Sequence, residues 1–311
     1  MANRTSGTSG TRGTSGTRAR ARLRLHACAK INLSLGVGSV RHDGYHQVRT
    51  VLQAIDLHDT LTFTARPGPF TIICREPGIP TDSRNLIWKA AFELARITER
   101  PDVDGIEVRL QKRIPSEAGL GGGSSDAAAT LRALSALWKL NLDAAALASV
   151  GRLVGADVPY FLVGGAAFGS GRGDDLLPLA DIRPFHVVIA KPPFGVQTPA
   201  AYAWFDDDGG VQAASRALAA WPEALLSVRN DLEPPVTRRH PEVAELVARL
   251  EQAGADAAAM SGSGSAVFGL FSTPARASRA AKACTAAGAS VIRARTLGRK
   301  EYRRQSTLAP C

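Results

Sequence analysis

A glycine-rich stretch, PSEAGLGGGSSDAAA at residues 115–129, has the composition of an anion-binding loop. Four of the five positions 119–123 are glycine, and two serines follow them directly. Glycine permits positive φ angles and leaves no Cβ between the backbone and a phosphate. The stretch joins a predicted strand, 106–110, to a predicted helix, 124–138, whose first N–H groups would face a bound anion. We therefore predict a phosphate-binding loop, with a ligand-free glycine turn as the alternative.

The loop departs from two common phosphate-binding patterns. A Walker loop has a lysine after its last glycine, whereas Gly123 is followed by Ser124. A dinucleotide-binding fingerprint, GxGxxG, is broken because Ser124 stands at the third glycine position. The loop alone therefore predicts phosphate binding without specifying the reaction.

Two other segments place polar side chains where burial would be costly. In AKINLSL, residues 29–35, Lys30 and Asn32 lie on one side of a predicted strand whose other residues are mostly apolar. In GADVPYFL, residues 155–162, Asp157 lies between a glycine and an apolar run, where a carboxylate needs partners. A Lys30–Asp157 pair would supply a base and a cation for phosphate chemistry, and a helix-capping aspartate is the structural alternative.

The periodicities that must position these residues predict an α+β chain. Extended patterns run from Leu23 to Ala65 with a turn at RHDGYH, and Asp143 is a predicted cap of a helix that ends before Gly155. Strands then alternate with helices that can pack on one face, which is typical of a ferredoxin-like sandwich. These later elements are a strand at 186–190, a helix at 242–252, a strand at 265–271, a helix from residue 274 and a strand near residue 291.

The net charge of +10 is concentrated at the two ends of the 311-residue chain. Residues 1–24 hold six arginines and no acid, and residues 293–304 carry a net charge of plus five, so the stretch between them is close to neutral. This distribution disfavours a large nucleic-acid-binding face. The Thr/Ser/Gly/Arg triplets of residues 1–22 predict a disordered basic tail, with a transit peptide as the alternative.

Composition excludes other classes of protein. No apolar run of about 18 residues is present, so no membrane span is predicted. Four cysteines, at positions 28, 74, 284 and 311, have no zinc-ligand spacing, which predicts reduced thiols, no fixed metal site and a cytoplasmic location.

Taken together, these segments resemble the GHMP small-molecule kinases. AKINLSL resembles the first motif of that family, the glycine loop the second, and MSGSGSAVF (260–268) the third. DGYH (43–46), GADVP and NDLE (230–233) occur in the order found in the branch whose acceptor is a cytidine diphosphate ester of methylerythritol. The resemblance implies a two-domain GHMP kinase fold, with an N-terminal β-α-β nucleotide-binding domain (23–180) and a C-terminal ferredoxin-like α+β domain (181–305).

The resemblance also implies in-line phosphoryl transfer from ATP, with Mg²⁺, to a hydroxyl of a small-molecule substrate. It assigns Asp157 as the general base and Lys30 as the cation beside it. The implied ATP-binding residues are Pro115, Ser116, Glu117, Ala118, Gly119, Leu120, Gly121, Gly122, Gly123, Ser124 and Ser125, with Asn85 and Lys112 at the adenosine. The implied acceptor-binding residues are Asn32, Tyr45, His46, Thr198 and Tyr202, with the late SGSG turn (261–264) near the phosphates or the lysine.

Three alternatives remain open at this point. The chain could be a sister kinase acting on homoserine, mevalonate or a sugar, a basic nucleic-acid-binding protein, or a nucleotide-binding relative without activity. The DGYH turn favours a cytidine-containing acceptor, because an aromatic ring beside a polar ring can stack on a base and bond to its edge. We expect no nucleic-acid or membrane partner, and a monomer or weak homodimer.

Overall fold

The computed structural model describes residues 21–210 and 228–310. The predicted tail therefore lies outside the described residues, apart from its last two positions. The Asp-Gly stretch after Phe205, residues 206–210, is predicted from its composition to be a loop, but a helix continues to Asp207 before the chain turns at residues 208–209.

In these ranges the chain forms two sheets and nine helices. The strands are β1 (Arg22–Val40), β2 (His46–Ala65), β3 (Thr71–Cys74), β4 (Ile106–Gln111), β5 (Ala166–Ser170), β6 (Asp175–Pro178), β7 (His186–Lys191), β8 (Arg229–Asn230), β9 (Ala257–Met260), β10 (Val267–Phe271), β11 (Ser290–Arg295) and β12 (Ala309–Pro310). The helices are α1 (Leu86–Ile97), α2 (Gly122–Leu137), α3 (Ala144–Val154), α4 (Tyr160–Val163), α5 (Thr198–Asp207), α6 (Glu233–Arg239), α7 (Pro241–Gln252), α8 (Pro274–Ala286) and α9 (Arg299–Gln305).

The first sheet is built around one long antiparallel hairpin, β1–β2, with the order β12-β1-β2-β4-β3. β5 and β6 extend it beyond β2, and β8 adds beside β1. Helices α1 and α2 pack on this sheet because their apolar faces, including Leu94 and Leu131, join Leu25 and Phe63 in one core. The predicted cap Asp143 accepts a hydrogen bond from the Ala146 N–H at 2.8 Å, so α3 begins where the sequence indicates.

The second sheet has the antiparallel order β11-β7-β10-β9. With α7 between β7 and β9 and α8 between β10 and β11, this is the β-α-β-β-α-β connection of a ferredoxin-like unit. Val243, Leu246 and Leu250 of α7 are buried against it, as their spacing predicts. The α+β architecture predicted from the sequence is confirmed.

The two sheets share a hydrophobic core. Ile31 and Leu33 of β1 pack there with Ile189 of β7 and Phe268 of β10. After β11 the chain returns to the first sheet: the Leu297 N–H bonds to the Ala54 carbonyl at 2.9 Å, and the strand β12 pairs with β1. The last part of the predicted C-terminal domain (181–305) therefore packs on the first sheet, where Leu297 and Tyr302 join its core. None of the helices in the described ranges is long and apolar enough to cross a lipid bilayer.

Candidate active site

A β-bulge in β1 determines which side chains reach the site. The register of β1 against β2 shifts between Cys28 and Lys30, so Ala27 and Cys28 both enter the core beneath the helices. Beyond the bulge, Ile31 and Leu33 face the second sheet, and Lys30 and Asn32 face the opposite way. Lys30 and Asn32 therefore lie on one side of the strand, as predicted.

The ammonium group of Lys30 is buried and held by oxygen acceptors. Its Nζ donates to Asn32 Oδ1 at 2.6 Å and to the Gly119 carbonyl at 2.8 Å, and it lies 3.7 Å from Asp157 Oδ2. Burial lowers the pKa of Lys30, and the charge of Asp157 partly opposes that shift. Asp157 remains accessible, with 39% of its side chain exposed. The structure thus brings together the cation and the carboxylate that were predicted as a pair.

The side chain of Asn32 is oriented by the hydroxyl group of Thr50, a residue that the sequence did not single out. Its Nδ2 donates to Thr50 Oγ1 at 2.8 Å, and the Thr50 hydroxyl donates to the Ser34 carbonyl at 2.7 Å. Because that hydroxyl proton is committed to Ser34, the Thr50 oxygen can only accept from the amide. The amide oxygen of Asn32 is therefore turned toward Lys30.

The glycine loop leads into the N-terminus of α2. Gly121 caps the helix with a φ of 72°, and the first intrahelical bond runs from the Ser125 N–H to its carbonyl at 2.9 Å. The backbone N–H groups of residues 122–124 precede that bond and have no partner within the helix, and these three residues line a cavity. The positive end of a 16-residue helix and these N–H groups form an anion-binding arrangement without a lysine in the loop.

The late Ser/Gly turn closes over the same loop. Ser261 Oγ donates to the Gly119 carbonyl at 3.0 Å, so Ser261 and Lys30 share one acceptor. A Cβ on Gly119 would lie 1.8 Å from the Ser261 carbonyl oxygen, which leaves room only for glycine. Asn230 fixes the turn by donating to the carbonyls of Met260 and Gly262 at 2.9 and 2.7 Å. The predicted proximity of this turn to the lysine is observed.

Beneath the loop lies a buried cluster of ionisable groups, Asp59–Lys112–Asp126. The Lys112 ammonium bonds to Asp59 and, at 3.0 Å, to Asp126 Oδ2. Asp59 also accepts the backbone N–H groups of Arg113 and Ile114, at the start of the loop. Lys112 lies close to Gly122, because a Cβ added there would be 3.2 Å from its Nζ. This position is beside the first turn of α2, where phosphate groups would bind.

The acceptor end of the cavity is lined by aromatic rings. The Tyr45 side chain is 53% exposed and carries the Arg172 guanidinium 5.1 Å above its ring. His46 stacks on Tyr202 with a 5.0 Å centroid separation and bonds to Asp206 at 2.9 Å. Burial raises the pKa of Tyr202, and Asp157 adds to the shift.

One cavity of about 1050 Å³ joins the glycine loop, the Lys30–Asp157 pair and the aromatic end. That volume is at the upper end for small-molecule sites and can hold two substrates side by side. The predicted residues that line it are Lys30, Asn32, Tyr45, His46, Lys112, Pro115, Ser116, Glu117, Ala118, Gly119, Leu120, Gly121, Gly122, Gly123, Ser124, Asp157, Thr198 and Tyr202.

Two predicted nucleotide contacts have other roles in the structure. Asn85 caps α1: its Oδ1 accepts the Ile87 N–H at 2.9 Å, and its Nδ2 donates to the Pro80 carbonyl at 2.6 Å. Ser125 is buried and donates to the Cys28 carbonyl at 2.7 Å, which ties α2 to β1. Neither side chain lines the cavity. Their polar atoms are already engaged in positioning the helices.

Several residues that shape the site were missed by the sequence analysis. They are Thr50, Asp59, Asp126, Arg172 and Asp206, and Asn230 was noted only as part of the NDLE motif, without a role. Asp206 had a usable signal, because it lies four residues after Tyr202 on the same helical face. Asp59 and Asp126 had no comparable signal, because Asp59 lies between His58 and Thr60 and Asp126 directly follows the two serines of the loop.

Comparison with known proteins identifies the family of the chain. Residues 85–165 match the model of the GHMP kinases N terminal domain, and residues 219–290 match that of the GHMP kinases C terminal domain. A 4-diphosphocytidyl-2-C-methyl-D-erythritol kinase from Geobacillus thermodenitrificans is 41% identical over 83% of this chain and 91% of its own length. The chain belongs to this family of GHMP kinases. A Salinibacter ruber kinase of the same name is 44% identical, over 79% of this chain and 88% of its own.

Solved structures give the same result for the fold of this GHMP kinase. A crystal structure of 4-(cytidine 5'-diphospho)-2C-methyl-D-erythritol kinase superimposes with a TM-score of 0.75 at 36% identity, covering 88% of this chain and 99% of that one. A homoserine kinase from Cytophaga hutchinsonii has a TM-score of 0.70 at 18% identity, covering 95% and 99%. The second likeness concerns the fold alone. The chain is thus a small-molecule kinase of the ATP-dependent GHMP type.

The buried carboxyl of Asp126 predicts a pH-dependent stability. Burial raises its pKa from 3.8 to about 8, and Lys112 opposes the shift. A folded-state pKa above the unfolded value stabilises the fold at low pH, and this contribution is lost as the pH rises from about 4 to about 8. Between about pH 5 and about pH 8 we expect the unfolding free energy to fall relative to that of Asp126→Asn, by up to about 1.4 kcal/mol per pH unit.

Urea unfolding of both proteins across this pH range measures the difference. The exposed Asp175→Asn is the matched control, and its difference from the wild type is expected to stay constant with pH. A constant difference for Asp126→Asn as well would show that Asp126 is ionised throughout.

The Thr50 hydroxyl predicts an effect on turnover that acts through the amide of Asn32. Thr50→Val removes the acceptor of the Asn32 amide, which can then rotate and withdraw its oxygen from Lys30. We expect turnover to fall about tenfold, corresponding to about 1.4 kcal/mol, with a smaller change in the KM for ATP. Thr50→Ser keeps the hydroxyl and is expected to retain most of the turnover. Equal losses in the two variants, measured by ADP release, would contradict the orienting role.

Proposed function

We propose that this GHMP kinase transfers the γ-phosphoryl group of ATP to the 2-hydroxyl of 4-diphosphocytidyl-2-C-methyl-D-erythritol. The products would be ADP and the 2-phosphate, in the non-mevalonate route to isopentenyl diphosphate. The observation that carries the proposal is the single cavity in which the Lys30–Asp157 pair separates a helix N-terminus from an aromatic acceptor end. The identity of the acceptor is inferred from the names of the similar kinases.

Asp157 is the general base of the proposed reaction. Its exposed carboxylate can accept the proton of the acceptor hydroxyl as that oxygen attacks the γ-phosphorus. Lys30 keeps two of its three N–H groups on Asn32 and Gly119, which leaves one for Asp157 or for the transferring phosphoryl oxygens. A cation fixed in this way needs no reorganisation when charge develops in the transition state.

The nucleotide phosphates would bind at the glycine loop. Among the described residues that line the cavity, three cationic side chains are balanced by three carboxylates, namely Lys30, Lys112 and Arg172 against Glu117, Asp157 and Asp206. The cavity side chains therefore contribute no net positive charge toward a triphosphate. Binding would rest on the backbone N–H groups of α2 and on Mg²⁺ carried by the nucleotide.

The cavity offers oxygen ligands that fit a magnesium ion. Ser124 and Glu117 both line it, and Mg²⁺ in phosphate sites commonly takes one or two protein oxygens beside phosphate oxygens. We expect these two residues to hold the ion, which would neutralise charge on the β- and γ-phosphates. Glu117 adopts a φ of 50°, and its carbonyl accepts the Val196 N–H, which fixes its backbone at the edge of the loop.

The acceptor end suits a base. Arg172 covers one face of the exposed Tyr45 ring, so the other face can stack on a nucleobase. Tyr202 and Thr198 line the cavity from α5, and Thr198 is held by Ser263 at 3.0 Å. Homoserine and mevalonate contain no ring to stack, so this end favours the cytidyl acceptor. We further expect the enzyme to act in the cytoplasm, as a monomer or weak homodimer and without nucleic acid.

A substrate panel tests the proposed function. ADP release is measured with the cytidyl-methylerythritol acceptor, homoserine and mevalonate, each with ATP and magnesium. We expect activity with the cytidyl acceptor alone, and activity restricted to either of the others would refute the assignment. Removing residues 1–22 is expected to leave this activity intact, whereas a nucleic-acid-binding protein would lose affinity and salt dependence.

Replacing the base tests the mechanism. Asp157→Asn keeps the shape of the side chain but cannot accept the hydroxyl proton. Turnover is expected to fall by about two to four orders of magnitude, with ATP binding, measured by calorimetry, little changed. The exposed Asp175→Asn is the control and is expected to turn over at the wild-type rate. Full activity of Asp157→Asn would remove this residue from the role of base.

A further inference from the structure

Helix α5 presents a polar and aromatic stripe to the acceptor end of the cavity. Thr198, Tyr202 and Asp206 recur every four residues and all line the cavity. The first two were predicted as acceptor contacts. Asp206 is a half-exposed carboxylate, which would repel an anionic substrate if its charge were not engaged by another group. The group that engages it is the imidazole ring of His46.

The His46 ring is fixed by three neighbours. Its Nε2 lies 2.9 Å from Asp206 Oδ1, and only 8% of the side chain is exposed. Tyr202 stacks on it with an interplanar angle of 28°, and Phe205 meets its edge at 88° with a centroid distance of 6.1 Å. These three contacts restrict the imidazole ring to a single orientation in the wall of the cavity.

The carboxylate determines where the proton of a neutral His46 ring resides. An ionised carboxylate only accepts hydrogen bonds, so Nε2 must carry the hydrogen that it donates to Asp206. In the neutral ring, Nδ1 is then an acceptor. Nδ1 has no hydrogen-bond partner among the described residues, and His46 lines the cavity. Nδ1 can therefore accept a hydrogen bond from a molecule bound there.

We propose that Asp206 is a positioning residue that holds His46 as the Nε2–H tautomer, so that Nδ1 accepts a hydrogen bond from the exocyclic amino group of the acceptor's base. The inference rests on the proposed function and adds a basis for selectivity. Cytosine carries an amino donor at its 4-position, and uracil carries a carbonyl acceptor there. Two acceptors facing each other form no bond and repel, so the uridyl analogue is disfavoured.

The size of this selectivity follows from the cost of an unmade bond. A site built to bond a substrate N–H rejects an analogue that lacks it, because a buried polar atom is left without a partner. For one neutral bond we expect a preference of about tenfold or more in kcat/KM for the cytidyl acceptor over its uridyl analogue.

The test compares these two acceptors in three proteins. Asp206→Asn can present either its oxygen or its NH₂ to Nε2, so the His46 tautomer is no longer dictated. We expect the cytidyl-to-uridyl ratio of kcat/KM to fall at least about fivefold, with the KM for ATP unchanged. Asp207→Asn is the matched control, because Asp207 is exposed on the next position of α5 and does not line the cavity, and its ratio is expected to equal that of the wild type.

The outcomes separate this inference from the proposed function. A wild type without activity on the cytidyl acceptor refutes the function itself. A wild type active on it, with an unchanged ratio in Asp206→Asn, refutes the tautomer role alone. Equal losses with both acceptors would indicate a structural role and also refute it. Nitrogen NMR of isotope-labelled histidine, with His46→Gln for assignment, reads the tautomer directly, and an Nδ1–H ring in the wild type would overturn the proposal.

Discussion

A lysine ammonium that is almost completely buried has to be surrounded by oxygen acceptors, and this requirement organises the active site. Removing a charge from water costs several kcal/mol unless hydrogen bonds replace the lost hydration. Lys30 finds its replacements on three separate segments: Asn32 of β1, the Gly119 carbonyl of the loop, and the carboxylate of Asp157. Each segment therefore lies close to the same nitrogen atom, two of them within hydrogen-bond distance and Asp157 as an ion pair at 3.7 Å. The phosphate loop and the base are positioned relative to each other because both interact with one cation.

The Gly119 carbonyl extends this constraint to the second sheet. It accepts from both Lys30 and Ser261, and the Ser261 turn belongs to the connection between β9 and β10. The packing of Ile31 against Ile189 and Phe268 fixes the distance between the sheets that these bonds require. A change in the shared core is therefore transmitted to the loop through two hydrogen bonds, although no core side chain touches a substrate.

The sequence was informative where a local pattern determined the structure. Alternation in β1 predicted that Lys30 and Asn32 share a side, and the Asp143 cap predicted the start of α3. Asn85 shows the limit of this reasoning, since a polar residue before an apolar helix also has the pattern of an N-cap, which is its role here. The bulge after Cys28 has no signature in the periodicity, and it determines which face Lys30 occupies. Contacts such as Asp59 with Lys112 join residues 53 positions apart, which single-sequence patterns do not reveal.

The two ends of the cavity are lined by different kinds of chemical group, and this difference determines which end can select between substrates. At the nucleotide end, backbone N–H groups and glycines without side chains surround the ligand, so few substitutions there leave the fold intact. At the acceptor end, Tyr45 and Asp206 are exposed side chains on a turn and on the cavity face of a helix. Their replacement costs little stability but changes the stacking face and the hydrogen-bond pattern offered to the acceptor. The fold can therefore keep its phosphate chemistry while its acceptor changes, and the choice of hydroxyl depends on side chains that the core does not constrain.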